Sequence, residues 1–261
     1  MDLITIILLG IVEGLTEFLP VSSTFHLLWT SRILGIPETE LVKLFTVFIQ
    51  SGAILAVVLL YWKEVLSNWK LILKLIASFI PTAVMGFLMY DVIKNIFFES
   101  RLGTTIVFIA VGGIFLLIEY LINKKVIVTT SDIQKLNYKQ AFVIGAFQAL
   151  AIIPGVSRAG AVLIGMMLLG FKRSESAKYS FMLSVPTIMA ASLFDFIEMR
   201  EVVFAHPENI WILAGGSIVA FVSALVGVKW LIKYLQNHSL ALFGWYRIVL
   251  GIILVLVTVF F

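Results

Sequence analysis

Six stretches of this chain are each long and apolar enough to cross a lipid bilayer, and nothing else in the sequence limits the fold as strongly. They run over roughly Phe45–Trp62, Leu71–Tyr90, Gly103–Ile122, Tyr179–Ile197, Ile210–Val228 and Leu240–Phe261. A helix rises 1.5 Å per residue, so about 20 apolar residues cover a hydrocarbon core ~30 Å thick. Inside lipid, every backbone N–H and C=O needs a partner within the segment, which here means helix. The expected fold class is therefore all-α and integral to the membrane. Composition agrees: 61% of the 261 residues are hydrophobic, 13% are charged, and the mean hydropathy is +1.08. A water-soluble domain of this length could not hide that much apolar surface. The chain has no cysteine, which excludes disulfides and thiolate metal sites. Its net charge of +4 is modest, and no nucleic-acid partner is expected. The first apolar segment does not read as a signal peptide, because it lacks a basic start and carries Glu13 and Glu17.

Two further apolar stretches are broken in the middle. Leu3–Leu34 is interrupted by Pro20-Val21-Ser22-Ser23, and Tyr138–Phe171 by Pro154-Gly155-Val156-Ser157. The flanks, about 13–18 residues each, are short for a full span. Proline removes a helical donor and disfavours helix at the residue before it. Each stretch thus reads as a re-entrant helix–loop–helix hairpin that enters and leaves on one face. Such backbone survives at membrane depth only when protein or a water-filled cavity surrounds it.

The order becomes hairpin, three spans, hairpin, three spans, in one membrane domain. Half one covers about 1–122 and half two about 138–261. Gly10-Ile11-Val12-Glu13-Gly14-Leu15 echoes Gly145-Ala146-Phe147-Gln148-Ala149-Leu150, and Pro20-x-x-Ser23 echoes Pro154-x-x-Ser157. An odd number of spans per half inserts the second copy upside down, giving an inverted-topology repeat. Twelve Lys and Arg fall near the span ends on one side (for example Lys63, Lys124, Lys172 and Lys229), and five fall on the other: Arg32, Lys43, Lys94, Arg101 and Arg200. The rich side is expected to be cytoplasmic, with both termini outside. Lys124–Lys139 reads as an exposed cytoplasmic loop.

The polar residues inside the two hairpins form a chemical inventory. Glu13 and Glu17 are four apart, on one face of a helix. They either face water at a helix end or ligate a hard cation such as Mg²⁺ or Ca²⁺. Ser22 and Thr24, after the proline, read first as helix caps. Ser23 and His26 are three apart, so the imidazole can approach the hydroxyl and activate it as a nucleophile. Arg158 needs an anion: Glu13 or Glu17, or a phosphate whose oxygens a guanidinium matches in pairs. A helix opening after Ser157 would aim N–H groups at the same anion, and Gly155 and Gly160 allow close approach. Gln148 holds the place of Glu13 in the second copy and reads as a supporting hydrogen-bonder. Gln50 reads as bonding a neighbouring helix, and Arg247 as snorkelling from the cytoplasmic end of its span.

Glu13-Gly14-Leu15-Thr16-Glu17-Phe18-Leu19-Pro20-Val21-Ser22-Ser23-Thr24 resembles the signature of the undecaprenyl-diphosphate phosphatases of the bacitracin-resistance type. Pro154-Gly155-Val156-Ser157-Arg158-x-Gly160-Ala161 is similar to their second signature. The resemblance implies metal-dependent hydrolysis of undecaprenyl diphosphate to the monophosphate, which recycles the lipid carrier of the cell wall. It also implies a bacterial plasma-membrane location and an outward-facing site. Glu13 and Glu17 match the residues linked to the divalent metal. Ser23, His26 and Glu17 match the catalytic group, with Ser23, His26 or a water as nucleophile. Arg158, Ser157, Gly155, Ser22 and Thr24 match the phosphate-binding positions. Phe25, Ala159 and Val162 depart from the pattern, which usually has Gly, Ser and Thr there. A homodimer is left open. A lipid-phosphate flippase or transporter is the alternative reading. The type-2 phosphatidic acid phosphatases pair an Arg with a His six residues on, and here Ile164 and Glu38 stand at those places after Arg158 and Arg32.

Overall fold

The computed structural model describes residues 1–92 and 101–260. Lys94, the side chain of Arg101 and Phe261 lie outside the described residues. The described chain is helical: α1 Leu3–Thr16, α2 Ser23–Ile33, α3 Glu40–Ser67, α4 Trp69–Val92, α5 Arg101–Asn123, α6 Tyr138–Ala149, α7 Arg158–Leu168, α8 Arg173–Glu198, α9 Arg200–Ala205, α10 Pro207–Asn237 and α11 Ala241–Phe260. Six of them are long and apolar enough to span a membrane, namely α3, α4, α5, α8, α10 and α11. Five of them contain the corresponding apolar stretch and run on past it, whereas α11 begins one residue after Leu240 and is described to Phe260. At 31 residues, α10 rises ~46 Å, more than a hydrocarbon core.

Local chemistry sets the ends. Asp2 accepts the N–H of Thr5 at 2.7 Å to start α1. Asn68 is the single non-helical residue between α3 and α4, and its side chain accepts Leu71 N–H at 3.1 Å. Asn137 and Gln140 form a reciprocal capping box at α6. Pro81 and Pro186 remain inside α4 and α8 without ending either helix.

The two broken stretches fold as helix–turn–helix pairs. α1 and α2, at 14 and 11 residues, and α6 and α7, at 12 and 11, are each too short to span alone. Each hairpin docks through glycine on a long helix remote from it in sequence. A Cβ on Gly14 of α1 would lie 2.3 Å from the Ala220 carbonyl oxygen of α10, and one on Gly145 of α6 would lie 2.1 Å from that of Ser78 in α4. Only a hydrogen at these positions allows the backbones to touch, the contact small residues provide between helices in lipid. Ser78 Oγ adds a hydrogen bond to the Ala141 carbonyl at 2.6 Å.

Ion pairs tie one end of the bundle together. Arg173 at the start of α8 pairs with buried Glu119 near the end of α5, and Glu119 also accepts Leu240 N–H at 2.8 Å. Lys178 pairs with Glu64 of α3. This is the lysine-rich end anticipated from sequence. The 124–137 connection belongs to it but is not simply exposed. Ile133 and Leu136 are buried, Glu175 accepts Ile133 N–H at 3.1 Å, and Ser131 bridges to Phe171. Ile133 and Leu136, three apart across a short 3-10 turn, give it a face to bury. The outward surface of the long helices is apolar, with Phe87 and Trp211 among its most exposed side chains, as lipid contact requires.

Candidate functional site

The turns of the two hairpins meet inside the bundle around a cavity of about 200 Å³. Glu17, Ser22, Ser23, Thr24, Ser157 and Arg158 line it, together with Gly155 and the Ala151–Pro154 turn. Gln50 of α3 and Thr187 of α8 complete the wall. The volume is below the ~300–1,000 Å³ of pockets that enclose drug-sized ligands. It suits a charged headgroup rather than a long tail.

Each turn ends in a serine with left-handed backbone: φ is 66° at Ser22 and 75° at Ser157. Non-glycine residues rarely adopt this conformation, which costs of order 1–3 kcal/mol. The next residue in each case opens a helix, Ser23 for α2 and Arg158 for α7. The strained serines therefore swing both helix starts toward the cavity. They also fix the register of the two hairpins. Ser157 lies 135 residues after Ser22, as Gln148 does after Glu13 and Gly145 after Gly10. The Pro-x-x-Ser echo paired Ser23 with Ser157, one residue out. In the structural register Ser23 matches Arg158, and Pro20 matches Gly155.

Side chains cross between the hairpins. Arg158 donates from Nη2 to Glu17 Oε1 at 2.8 Å and from Nη1 to the Ser180 carbonyl at 3.3 Å. Ser23 Oγ donates a short hydrogen bond to the other Glu17 oxygen. One carboxylate thus joins the hydroxyl of the first hairpin to the guanidinium of the second. Ser157 caps α7, its Oγ accepting Gly160 N–H at 3.2 Å, whereas Ser22 makes no side-chain cap. Thr24 is exposed to the cavity.

Glu13 sits behind Glu17, fully buried, with no hydrogen-bond partner for either carboxylate oxygen. Its electrostatic neighbours are Glu17 and Arg158. A carboxylate left unpaired in this way calls for a cation or a proton. Two carboxylates and the Ser23 hydroxyl are a fitting donor set for a hard divalent ion that takes its remaining oxygens from phosphate and water. No group of three or more His, Asp or Glu gathers among the described residues, so the protein alone would not complete the shell.

His26 is placed otherwise than its spacing from Ser23 suggests. Nδ1 meets the Ser22 carbonyl at 2.8 Å and Nε2 meets the Tyr246 hydroxyl at 2.6 Å. Both ring nitrogens are thus engaged with other groups, and Ser23 Oγ donates to Glu17. Gln148 is fully buried and donates to Thr82 at 2.8 Å and to Thr187 at 3.1 Å; it supports a wall residue rather than the cavity itself. Gln50 does not bond a neighbouring helix. Among the described residues its amide reaches only the Thr46 carbonyl of its own helix, at 3.4 Å, and it lines the cavity.

Arg247 does not snorkel. It is fully buried and donates to the carbonyls of Phe108 at 3.0 Å, Pro20 at 3.0 Å and Gly155. α11 packs antiparallel on α5 with Gly112 against Gly244, which puts Arg247 well inside the bundle. Sequence reasoning missed Arg247 and Tyr246 because Trp245-Tyr246-Arg247 has the composition of an interfacial belt. The usable signal was depth, as Arg247 is the seventh residue of α11, ~9 Å from its start.

The three departures from the motif become intelligible. Phe25 is buried and stacks on Phe108 of α5, ring centroids 3.9 Å apart. Ala159 and Val162 are buried in α7 and do not line the cavity. Hydroxyls at 159 and 162 would lie in the packed interior, not on a bound phosphate.

Fold and site together define an all-α, multi-pass membrane protein with a polar, charge-paired cavity enclosed by two helical hairpins. The bacitracin resistance protein BacA family matches residues 6–253, and the chain belongs to that family. Among its relatives, the undecaprenyl-diphosphatase of Persephonella marina is 46% identical over 98% of this chain and 99% of its own. That of Sulfurihydrogenibium sp. is 45% identical over 95% and 96%, and that of Aquifex aeolicus 43% over 95% of each.

Proposed function

We propose that this chain hydrolyses undecaprenyl diphosphate to the monophosphate and phosphate, in the bacterial plasma membrane, with the cavity open to the outer side. Membership of the family and the names of its relatives support the reaction. The observation that carries it into this chain is the Ser23–Glu17–Arg158 chain of hydrogen bonds across the two turns.

The diphosphate headgroup occupies the cavity, and the prenyl tail leaves between helices into lipid. Arg158 clamps non-bridging phosphate oxygens, helped by the N-termini of α2 and α7. Ser23 Oγ attacks the terminal phosphorus while Glu17 takes its proton, the pairing of nucleophile and base that hydroxyl activation needs. The bond to the bridging oxygen breaks and undecaprenyl phosphate leaves. Water then attacks the phosphoserine and releases phosphate. Proton transfer is assigned to Glu17 rather than His26 because Ser23 Oγ donates to Glu17, while the His26 nitrogens meet the Ser22 carbonyl and the Tyr246 hydroxyl. Glu13 and Glu17 would hold Mg²⁺ or Ca²⁺, which would neutralise charge on the phosphates. The two hairpins are read as an inverted repeat, re-entrant from opposite faces, with both termini outside.

The test is phosphate release from undecaprenyl diphosphate by purified protein in detergent, without any gradient and with a chelator control. Wild-type turnover that is lost in Glu17→Gln and Ser23→Ala, with folding intact, is the expected result. Transport of the lipid without hydrolysis would favour the flippase reading instead.

A further inference from the structure

Arg247 takes no part in that chemistry and does not line the cavity, yet it is the largest fully buried side chain among the described residues. A buried cation normally has a carboxylate partner, because desolvation costs several kcal/mol per ion. All the hydrogen bonds of Arg247 end instead on backbone carbonyls, at Phe108, Pro20 and Gly155. Its guanidinium also lies over the Phe108 ring, 4.4 Å from the centroid.

Two of those carbonyls belong to the turns that shape the site. Pro20 and Gly155 each lie two residues before the left-handed serine, at matching positions of the two hairpins. Loop carbonyls at this depth have no helical donor of their own, and a guanidinium supplies them from one rigid fork. Gly155 is pressed against α5, where a Cβ would come within 2.5 Å of the Thr104 carbonyl oxygen. The second turn is therefore gripped from α5 and α11 at once, and the first turn shares the α11 grip.

We propose that Arg247 is a positioning residue that sets the separation of the two hairpin turns, and with it the register in which Ser23 and Glu17 of the first meet Arg158 of the second. Lysine cannot replace it, since a single ammonium cannot span carbonyls that lie on different sides of a planar fork. The kinetic part of the test rests on the hydrolytic reading above, and the distance part does not.

The chain has no cysteine, so spin labels at Leu19→Cys and Val156→Cys report the separation of the turns without background. Arg247→Lys and Arg247→Gln should broaden or shift the distance distribution in detergent. They should also lower kcat by about 10- to 100-fold, as misplacement of reacting groups does, while KM stays within about threefold. In an Arg158→Lys background, Arg247→Lys should cost little more, because the group it positions is already compromised. An unchanged distance distribution overturns the proposal. So does a full, additive loss in the Arg158→Lys background. If neither Arg247 variant is recovered folded, the residue is a requirement of the fold and the positioning role is likewise overturned. A wild type inert toward undecaprenyl diphosphate defeats the hydrolytic reading and leaves the distance measurement to decide this one.

Discussion

Replacing Glu13 by Gln tests the electrostatics of the site without touching the cavity wall. Glu13 is buried with two unpartnered carboxylate oxygens, and Glu17 lies one helical turn away. Carboxylates four apart on a helix stand roughly 5.5 Å apart. At an effective dielectric of about 20, two such charges repel by ~3 kcal/mol. Arg158 offsets part of this, so ~3 kcal/mol is an upper bound on what Glu13→Gln releases. For a chain of this size each kcal/mol moves the melting temperature by about 2–4 °C. In a chelator, Glu13→Gln should therefore melt several degrees above the wild type. Added Mg²⁺ or Ca²⁺ should stabilise the wild type, by the ordinary linkage of a ligand that binds only the folded state, and leave the variant unmoved. Thermal unfolding in detergent, followed by intrinsic fluorescence with and without the cation, measures both. A variant that melts lower than wild type in chelator, and keeps its response to the cation, would refute the reasoning: Glu13 would then have a favourable partner in the apo protein and no role as ligand.

Other outcomes follow from the same geometry. Arg158→Lys keeps the charge but loses the fork that spans Glu17 and the Ser180 carbonyl, and phosphate release should fall by about 10- to 100-fold with folding intact. Tyr246→Phe removes one hydrogen bond from His26 and leaves the Ser22 contact, so turnover should drop only about 2- to 10-fold, the worth of one such bond. Gly145→Ala drives a Cβ into the Ser78 carbonyl and should destabilise the protein by ~3 kcal/mol, the upper end of what overpacking costs, seen as loss of the monodisperse species in detergent. Gly113→Ala, which meets open space in α5, should instead raise the melting temperature slightly, by about 0.5–1 kcal/mol of helix propensity.

The long helices were legible in the sequence because hydropathy and length need no knowledge of neighbours. The hairpins were legible because Pro20 and Pro154 stand where a span would need continuity. Contacts set by side-chain direction were not. Ser23 and His26 have the spacing of a dyad, but His26 turns toward Tyr246, a residue 220 positions away. Arg247 has the sequence surroundings of an interfacial arginine; its place seven residues into α11 hints at depth, and the antiparallel packing of α11 on α5 shows what it meets there. The hairpin register was hidden for a related reason. It is carried by left-handed serines, and φ leaves no mark on a serine's identity. Phe25 reads as a break in a motif until Phe108 is seen beneath it.

The Arg158–Glu17 pair makes binding at this site an exchange of anions rather than the filling of an empty charge. Without substrate the guanidinium is already neutralised, which lets the cavity persist in a medium that punishes lone charges. A headgroup gains only the difference between its own grip on Arg158 and that of Glu17. That difference is larger for a ligand with more charge. On the proposed reaction, a diphosphate would displace the carboxylate and free it to accept the Ser23 proton, while a monophosphate would compete less well and be let go. The resting ion pair thereby ranks reactant above product before any bond is broken.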